Sequence, residues 1–200
     1  MANTQRRKDD TEEDTSNRGY FSALKANAYL YEFYLSGPVL EPSEYIEWYH
    51  IIRNATEYDT VKIYLNSGGG VIDTALQFRR VLSETAANTI CSVEGSCMSA
   101  ATMIMLACDA IEVSEHSLFM FHNYSGGTGG KGGEMHDQVM FEKEWSRRFL
   151  HDIYKYFFSE DEVNAMLSNK DIWMHGEEVL ERAKIMMELL ALEAEEENEN

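Results

Sequence analysis

The sequence predicts a single α/β domain with largely parallel strand pairing. Three observations carry this reading. Short alternating or β-branched runs take turns with helical periodicities along the chain. Glycine turns twice separate a strand pattern from a helix pattern, around Gly70 and around Gly95. The length of 200 residues and mass of 22.9 kDa suit one domain whose core needs no disulfide or metal to hold it. Strands that alternate with helices imply crossover connections, and crossovers bring strands back parallel.

Taken in order, residues 1–18 hold no large apolar side chain beyond Met1, so they are expected to be a mobile arm. Val61-Lys62-Ile63-Tyr64-Leu65 alternates apolar and mixed residues and predicts a strand. Asn66-Ser67-Gly68-Gly69-Gly70 breaks it. Val71, Ala75, Phe78 and Leu82 then recur at helical spacing, with Ile72 and Val81 beside them. Asn88 to Val93 predicts the next strand, Glu94-Gly95-Ser96 a turn, and Ser99 to Cys108 a compact helix with small residues on its first turn. Ala110 to Val113 and Leu118 to Phe121 predict two short strands. The glycine-rich stretch Ser125 to Gly133 leads into a long helix over Glu134 to Phe158, with Phe141, Trp145, Phe149 and Ile153 on one face. Ser159 and Glu162 are spaced as a capping box for a short helix. Glu177 to Leu192 predicts a last amphipathic helix. Glu193 to Asn200, with five Glu, is expected to be an acidic, solvated tail. The folded domain would then occupy 19–192.

Composition narrows the function. Asp and Glu number 35 against 17 Lys and Arg, a formal charge of −18, which would repel nucleic acid and anionic membrane. Cys91, Cys97 and Cys108 are odd in number and form no Cys-x-x-Cys pair. A disulfide framework or zinc site is therefore not expected, and a reducing, cytoplasmic setting fits. No apolar run reaches the roughly 18 residues of a membrane span, and no apolar leader follows Met1.

Two segments could carry chemistry. Gly68-Gly69-Gly70, between strand and helix, lets backbone N–H groups approach a bound anion. It is neither a P-loop nor G-x-G-x-x-G, since Asp73 stands at the third glycine position. Alone it also fits a plain tight turn. Gly95-Ser96-Cys97-Met98-Ser99-Ala100-Ala101 sets Ser99 where a turn meets a helix. Ser99 there can be a simple N-cap, or a nucleophile whose oxyanion is held by the N–H groups of Gly70 and Ala100. Cys97 and Ser96 are rival nucleophiles. A serine needs a base, and His122 closes the apolar strand Leu118-Phe119-Met120-Phe121 at the edge of a polar loop. His136 and His151 fall on the long helix, His116 in a turn, and His50 and His175 in no telling context. None has His-x-x-x-His spacing, so no metal is expected. Asp171, in a polar loop before Ile172-Trp173, is a candidate to orient the base, as one acid among 35.

These segments together resemble the Clp protease proteolytic subunit family, ClpP. The resemblance rests on Tyr64 to Ile72, Gly95 to Ser99, Met120-Phe121-His122, and Asp171 to Met174 before Glu177-Glu178, and it runs from about Tyr29 to Leu189. It implies Ser99 as nucleophile, His122 as general base and Asp171 as its partner, with the Gly70 and Ala100 amides as oxyanion donors. The order Ser, His, Asp differs from the chymotrypsin, subtilisin and α/β-hydrolase orders. The implied fold is the ClpP/crotonase type, stacked strand–strand–helix units with a protruding handle over about 123–158. The implied activity is serine endopeptidase cleavage of peptides and unfolded proteins inside a homo-oligomeric chamber of heptameric rings, one or two stacked. A separate AAA+ unfoldase would supply ATP-dependent feeding, because the chain holds no nucleotide motif; no cofactor is implied. The chain departs from the family pattern at Gly68, where proline is usual, and at Ala100-Ala101, where Met-Gly is usual. Its glycine-rich loop after His122 and its N-terminal arm are also atypical. The alternatives are a viral maturation-type ClpP-like protease working without an unfoldase, a non-catalytic scaffold ring subunit, and a crotonase-like acyl-CoA enzyme.

Overall fold

In the computed structural model, which describes residues 28–198, the first strand lies upstream of every element expected above. Strand β1 (Leu30–Ser36) buries Phe33 and Leu35 and leaves Glu32 and Tyr34 exposed. The arm expected over 1–18 lies outside the described residues. A 3₁₀ turn, Pro42–Tyr45, feeds helix α1 (Ile46–Asn54), with proline at the start where its missing N–H is harmless. Then come β2 (Thr60–Ser67), α2 (Ile72–Glu84), β3 (Asn88–Met98), α3 (Ala100–Met105), β4 (Ala110–Val113) and β5 (Leu118–Phe121). Helices α4 (Gly132–Tyr154) and α5 (Glu160–Leu167), strand β6 (Ile172–His175) and helix α6 (Gly176–Asn198) complete the order.

The sheet is six-stranded, ordered β1-β2-β3-β5-β6, with β4 also on β3. All pairs are parallel except β5 with β6. Alternation sorts side chains between the two faces. Val61, Ile63 and Leu65 are fully buried under the helices, while Lys62 and Tyr64 stand on the other face. There Tyr34 stacks on Tyr64 at 4.6 Å, Tyr64 donates to Glu32, and Lys62 pairs with Glu112 at 2.7 Å. The covered face meets Tyr49 and Ile52 of α1, Phe78, Val81 and Leu82 of α2, and every residue of α3. Tyr45, Trp48, Tyr49 and Phe78 form an aromatic cluster there, with ring centroids 4.9–6.3 Å apart.

The turn expected at Glu94-Gly95-Ser96 is instead a bulge inside one long strand. The β2–β3 register runs to Leu65 opposite Val93 and resumes at Ser67 opposite Cys97, so two extra residues sit on β3. Asn66 holds the bulge by accepting the Ser96 N–H at 3.0 Å. A Cβ on Gly95 would lie 2.6 Å from Asn66 Oδ1, so a larger residue there would displace the side chain that holds the bulge. The bulge re-aims β3. Before it, Ile90 to Val93 pair with β4; after it, Ser96 to Met98 pair with β5. The β4–β5 turn fastens to the bend, since the Ser114 N–H and the Ser117 hydroxyl both donate to the Val93 carbonyl.

Two helix boundaries also shift. The long helix ends at Tyr154, not Phe158, and the chain turns so that Phe157 and Phe158 pack on Phe121. The last helix does not stop at Leu192. It runs to Asn198 through the first part of the acidic tail, where Glu193 accepts from Tyr156 and pairs with Lys155. The face expected to run from Phe141 through Trp145 to Phe149 is divided. Phe149 is core and Trp145 packs on it at 4.3 Å, while Phe141 is 72% exposed.

Candidate active site

The bend in β3 delivers Ser99 to the C-terminal end of the sheet. Its N–H donates to the Met120 carbonyl of β5 at 2.9 Å, which ties the serine to the strand that carries His122. Its backbone lies at φ 54°, ψ −128°, a conformation that L residues rarely adopt. Such strain costs about 1–3 kcal/mol and persists only where the surroundings enforce it, typically at functional sites. The consequence is visible in the side chain. Ser99 makes no N-cap bond; its Oγ instead lies 2.7 Å from His122 Nε2. The plain capping role is thereby set aside.

The surroundings that enforce the strain lie behind Ser99. The Thr102 N–H and hydroxyl both donate to the Ser99 carbonyl, at 2.9 and 2.7 Å. The Thr102 hydrogen is spent there, so Tyr154 of α4 must donate its own to Thr102 Oγ1, at 2.7 Å. Tyr154 is fully buried, and burial pushes its hydroxyl well above the usual tyrosine range. Ala100 and Ala101 are completely buried as well, so the compact first turn is a packing requirement. Nothing in the local sequence around Thr102 or Tyr154 marks them; a 52-residue separation joins them.

The glycine turn closes in from the other side. The loop after β1 is stitched to it: Val39 N–H donates to Gly69 O and Val71 N–H to Val39 O, both at 2.9 Å. The Gly69 N–H is taken by Ser67 Oγ at 3.1 Å. The Gly70 N–H takes part in none of these bonds. Gly69 is at φ 93° and presses on Ser99, since a Cβ there would stand 2.6 Å from Ser99 Cβ and 2.7 Å from Met98 O. A Cβ on Gly70 would stand 2.1 Å from the Val39 carbonyl. A Cβ on Gly68 would meet nothing within 4 Å, so the position where the family usually has proline has room for a side chain.

Asp171 is not joined to His122 in this arrangement. The β5–β6 register, ending at Phe121 opposite Ile172, would at its next step set His122 against Asp171. The Asp171 side chain is exposed, however, and lines an outer cleft with Glu162, Lys170 and Trp173. The two rival residues lie in other environments. Cys97 is fully buried, its thiol pushed up by desolvation and directed at Met105 Sδ, 3.8 Å away. Ser96 belongs to the strand bulge. His50, His116, His136, His151 and His175 lie on α1, the β4–β5 turn, α4, α4 and β6, apart from the serine. Among the described residues no three His, Cys, Asp or Glu side chains cluster as a metal site, and no helix is long and apolar enough to cross a membrane.

A groove of about 420 Å³ opens beside Ser99. Gly70 to Asp73 form one wall, and the other comes from Tyr124 to Gly127, Glu142 and Trp145. The glycine-rich loop is folded back on α4, with Tyr124 edge-on to Trp145 at 6.2 Å and donating to Glu142 at 3.3 Å.

Comparison with known proteins agrees with this architecture. No curated protein shows significant sequence similarity to the chain. Among solved structures, a mutant of ClpP1 from Listeria monocytogenes matches with a TM-score of 0.58, covering 77% of this chain and 88% of that one at 14% identity. At that identity the match speaks for the fold. The Clp protease family model matches residues 44–182, a span that reaches from the aromatic cluster of α1 through Ser99, His122 and Asp171 to α6. With the greater part of its length matched and the strand–strand–helix architecture in place, the chain belongs to the Clp protease family.

Proposed function

We propose that this chain is a serine endopeptidase acting on unfolded polypeptide. The observation that carries the reading is the 2.7 Å contact between His122 Nε2 and the Oγ of a strained Ser99, at the mouth of a groove. In this mechanism His122 accepts the Ser99 proton as Oγ attacks the peptide carbonyl. The Gly70 and Ala100 amides hold the oxyanion. The imidazolium then gives its proton to the departing amine, leaving an acyl-serine. Water attacks that ester, losing a proton to His122, and Ser99 is restored. Asp171 serves by turning from the outer cleft toward His122, which fixes the tautomer.

On the same reading the chain assembles into homo-oligomeric rings. Parallel sheets are nearly always covered on both faces, yet among the described residues no helix covers the face where Tyr34 is exposed and Lys62 and Tyr64 are half-buried. A second copy is the natural cover. ATP, on this account, is consumed only by a separate unfoldase that feeds the chamber. The exposed Asp171 favours one alternative, a scaffold subunit whose base is never oriented.

Labelling with a fluorophosphonate serine probe, beside hydrolysis of a fluorogenic peptide, tests the proposal. The wild-type chain should label at Ser99 and cleave. Ser99→Ala should lose labelling and about 10⁴–10⁶ in kcat. A wild-type chain that neither labels nor cleaves is the scaffold; labelling that moves to Cys97 refutes the assignment of Ser99.

A further inference from the structure

The groove beside Ser99 has an uneven chemistry that the catalytic residues do not explain. Its walls offer apolar and aromatic surface from Ile72, Tyr124 and Trp145, and two carboxylates, Asp73 and Glu142. Among the described residues no Lys or Arg lines it. Glu142 accepts from the Tyr124 hydroxyl at 3.3 Å and from Gln138 Nε2 at 2.8 Å, both neutral donors. Neither Glu142 nor Asp73 is in an ion pair among the described residues. The nearest cations along α4, Lys143 and Arg147, line a different pocket with Met140 and Asn123. The carboxylates therefore line the groove with no described cation paired to them, and a cleft with low-dielectric walls focuses their field.

We propose that this groove selects polypeptide segments that place a Lys or Arg side chain beside the scissile bond. The proposal rests on the peptidase reading of Ser99. The aliphatic stem of such a side chain packs on Ile72, and its cation meets the Trp145 and Tyr124 rings and the Glu142 and Asp73 carboxylates. Leucine fills the apolar wall but leaves the carboxylates unused. Glutamate meets like charge. Burial first and the Glu142 carboxylate second raise the Tyr124 pKa, which keeps Tyr124 a neutral donor in this wall.

The test uses the full-length chain and a matched set of fluorogenic peptides that differ only in Arg, Lys, Leu or Glu before the cleaved bond. Rates are normalised to serine-probe labelling. Arg and Lys peptides should exceed the Leu peptide by about tenfold in kcat/KM, the scale of one partly desolvated charge contact, with Glu lowest. Glu142→Lys combined with Asp73→Asn should invert the Arg-to-Glu ratio. Glu57→Lys, at the opposite end of the parallel strands, should leave that ratio intact, which separates the groove from the overall negative charge. A second arm measures anisotropy of the same peptides, labelled but uncleaved, on Ser99→Ala, where Arg and Lys peptides should bind most tightly. Preference for Leu, equal binding of all four peptides, or a ratio that the groove variant leaves unchanged overturns the proposal. An inert serine with selective binding intact would instead sink the peptidase reading and leave the groove's selectivity standing.

Discussion

Ser99 occupies a backbone conformation that only its neighbours make tolerable, and Gly69 is the nearest of them. At φ 93° and with 2.6 Å to Ser99 Cβ, Gly69 has no room for a methyl group. Gly69→Ala should cost about 3 kcal/mol or more, by strain and by displacement of the serine. Gly68→Ala, one residue away in open space, should change stability by less than about 0.5 kcal/mol. Chemical denaturation of the two variants checks this, and equal losses would refute the packing argument. Behind the serine, Tyr154→Phe removes one buried hydrogen bond to Thr102. The expected loss is about 1 kcal/mol, since Thr102 keeps its bond to Ser99 O. A fall in kcat larger than that stability loss explains would show that the Tyr154–Thr102 chain positions the nucleophile.

Elements are held to one another by a few polar clamps as well as by the core. The clearest clamp joins α5 to α6, across β6 and the segment that carries Asp171. Arg182 binds Glu162 at 2.8 Å and Glu178 at 3.0 Å, while the Ser159 N–H and hydroxyl donate to Glu162 at 2.9 and 2.8 Å. The Arg182 bond, ahead of the Ser159 bonds, brings the Glu162 pKa from 4.5 down to about 2. A depressed carboxylate stabilises the fold fully above its unfolded pKa and loses that effect as pH falls through the folded one. The window is therefore from about pH 4.5 down to about pH 2. The pair is about a third exposed, so screening reduces its worth to about 1 kcal/mol. Arg182→Ala should melt below wild type at pH 7, and the gap should close toward pH 2. A gap that persists at pH 2 would mean that packing of the Arg182 stem on Phe158, and not the ion pair, holds α6.

At the scale of the whole molecule, the described residues leave two surfaces uncovered. One is the uncovered sheet face around the Tyr34–Tyr64 stack. The other is the N-terminal part of α4, where Val139, Met140 and Phe141 are exposed. Phe141 at 72% exposed touches little of its own chain, whereas Trp145 belongs partly to the core. Phe141→Glu should therefore shrink the assembly in sedimentation velocity without changing the circular dichroism melt, and activity should fall with it. Trp145→Glu should lower the melt itself. A wild-type chain that sediments as a monomer, or a Phe141→Glu chain of unchanged size, would remove α4 from the interface.

Much of this was legible in the sequence because it depends on near neighbours. Period-2 runs at Val61 to Leu65 and Leu118 to Phe121, the Ser159–Glu162 capping box, and helical spacing from Val71 to Leu82 are local patterns, and each became the expected element. The pairing of Ser99 with His122 was named from motif resemblance, and the structure brings the two side chains together. Long-range contacts decided the rest. Glu94-Gly95-Ser96 has turn composition, yet it continues β3, because Asn66 supplies the hydrogen bond and β5 the partner strand. The Phe141–Trp145–Phe149 stripe has one period but two fates, since the helix leaves the core partway along its length. Tyr154 and Thr102 carry no local signal, because their bond exists only once α4 lies against α3. Asp171 lies in a cleft whose other side is the Asp161, Glu162 and Ala165 face of α5, a neighbour that no spacing along the chain reveals.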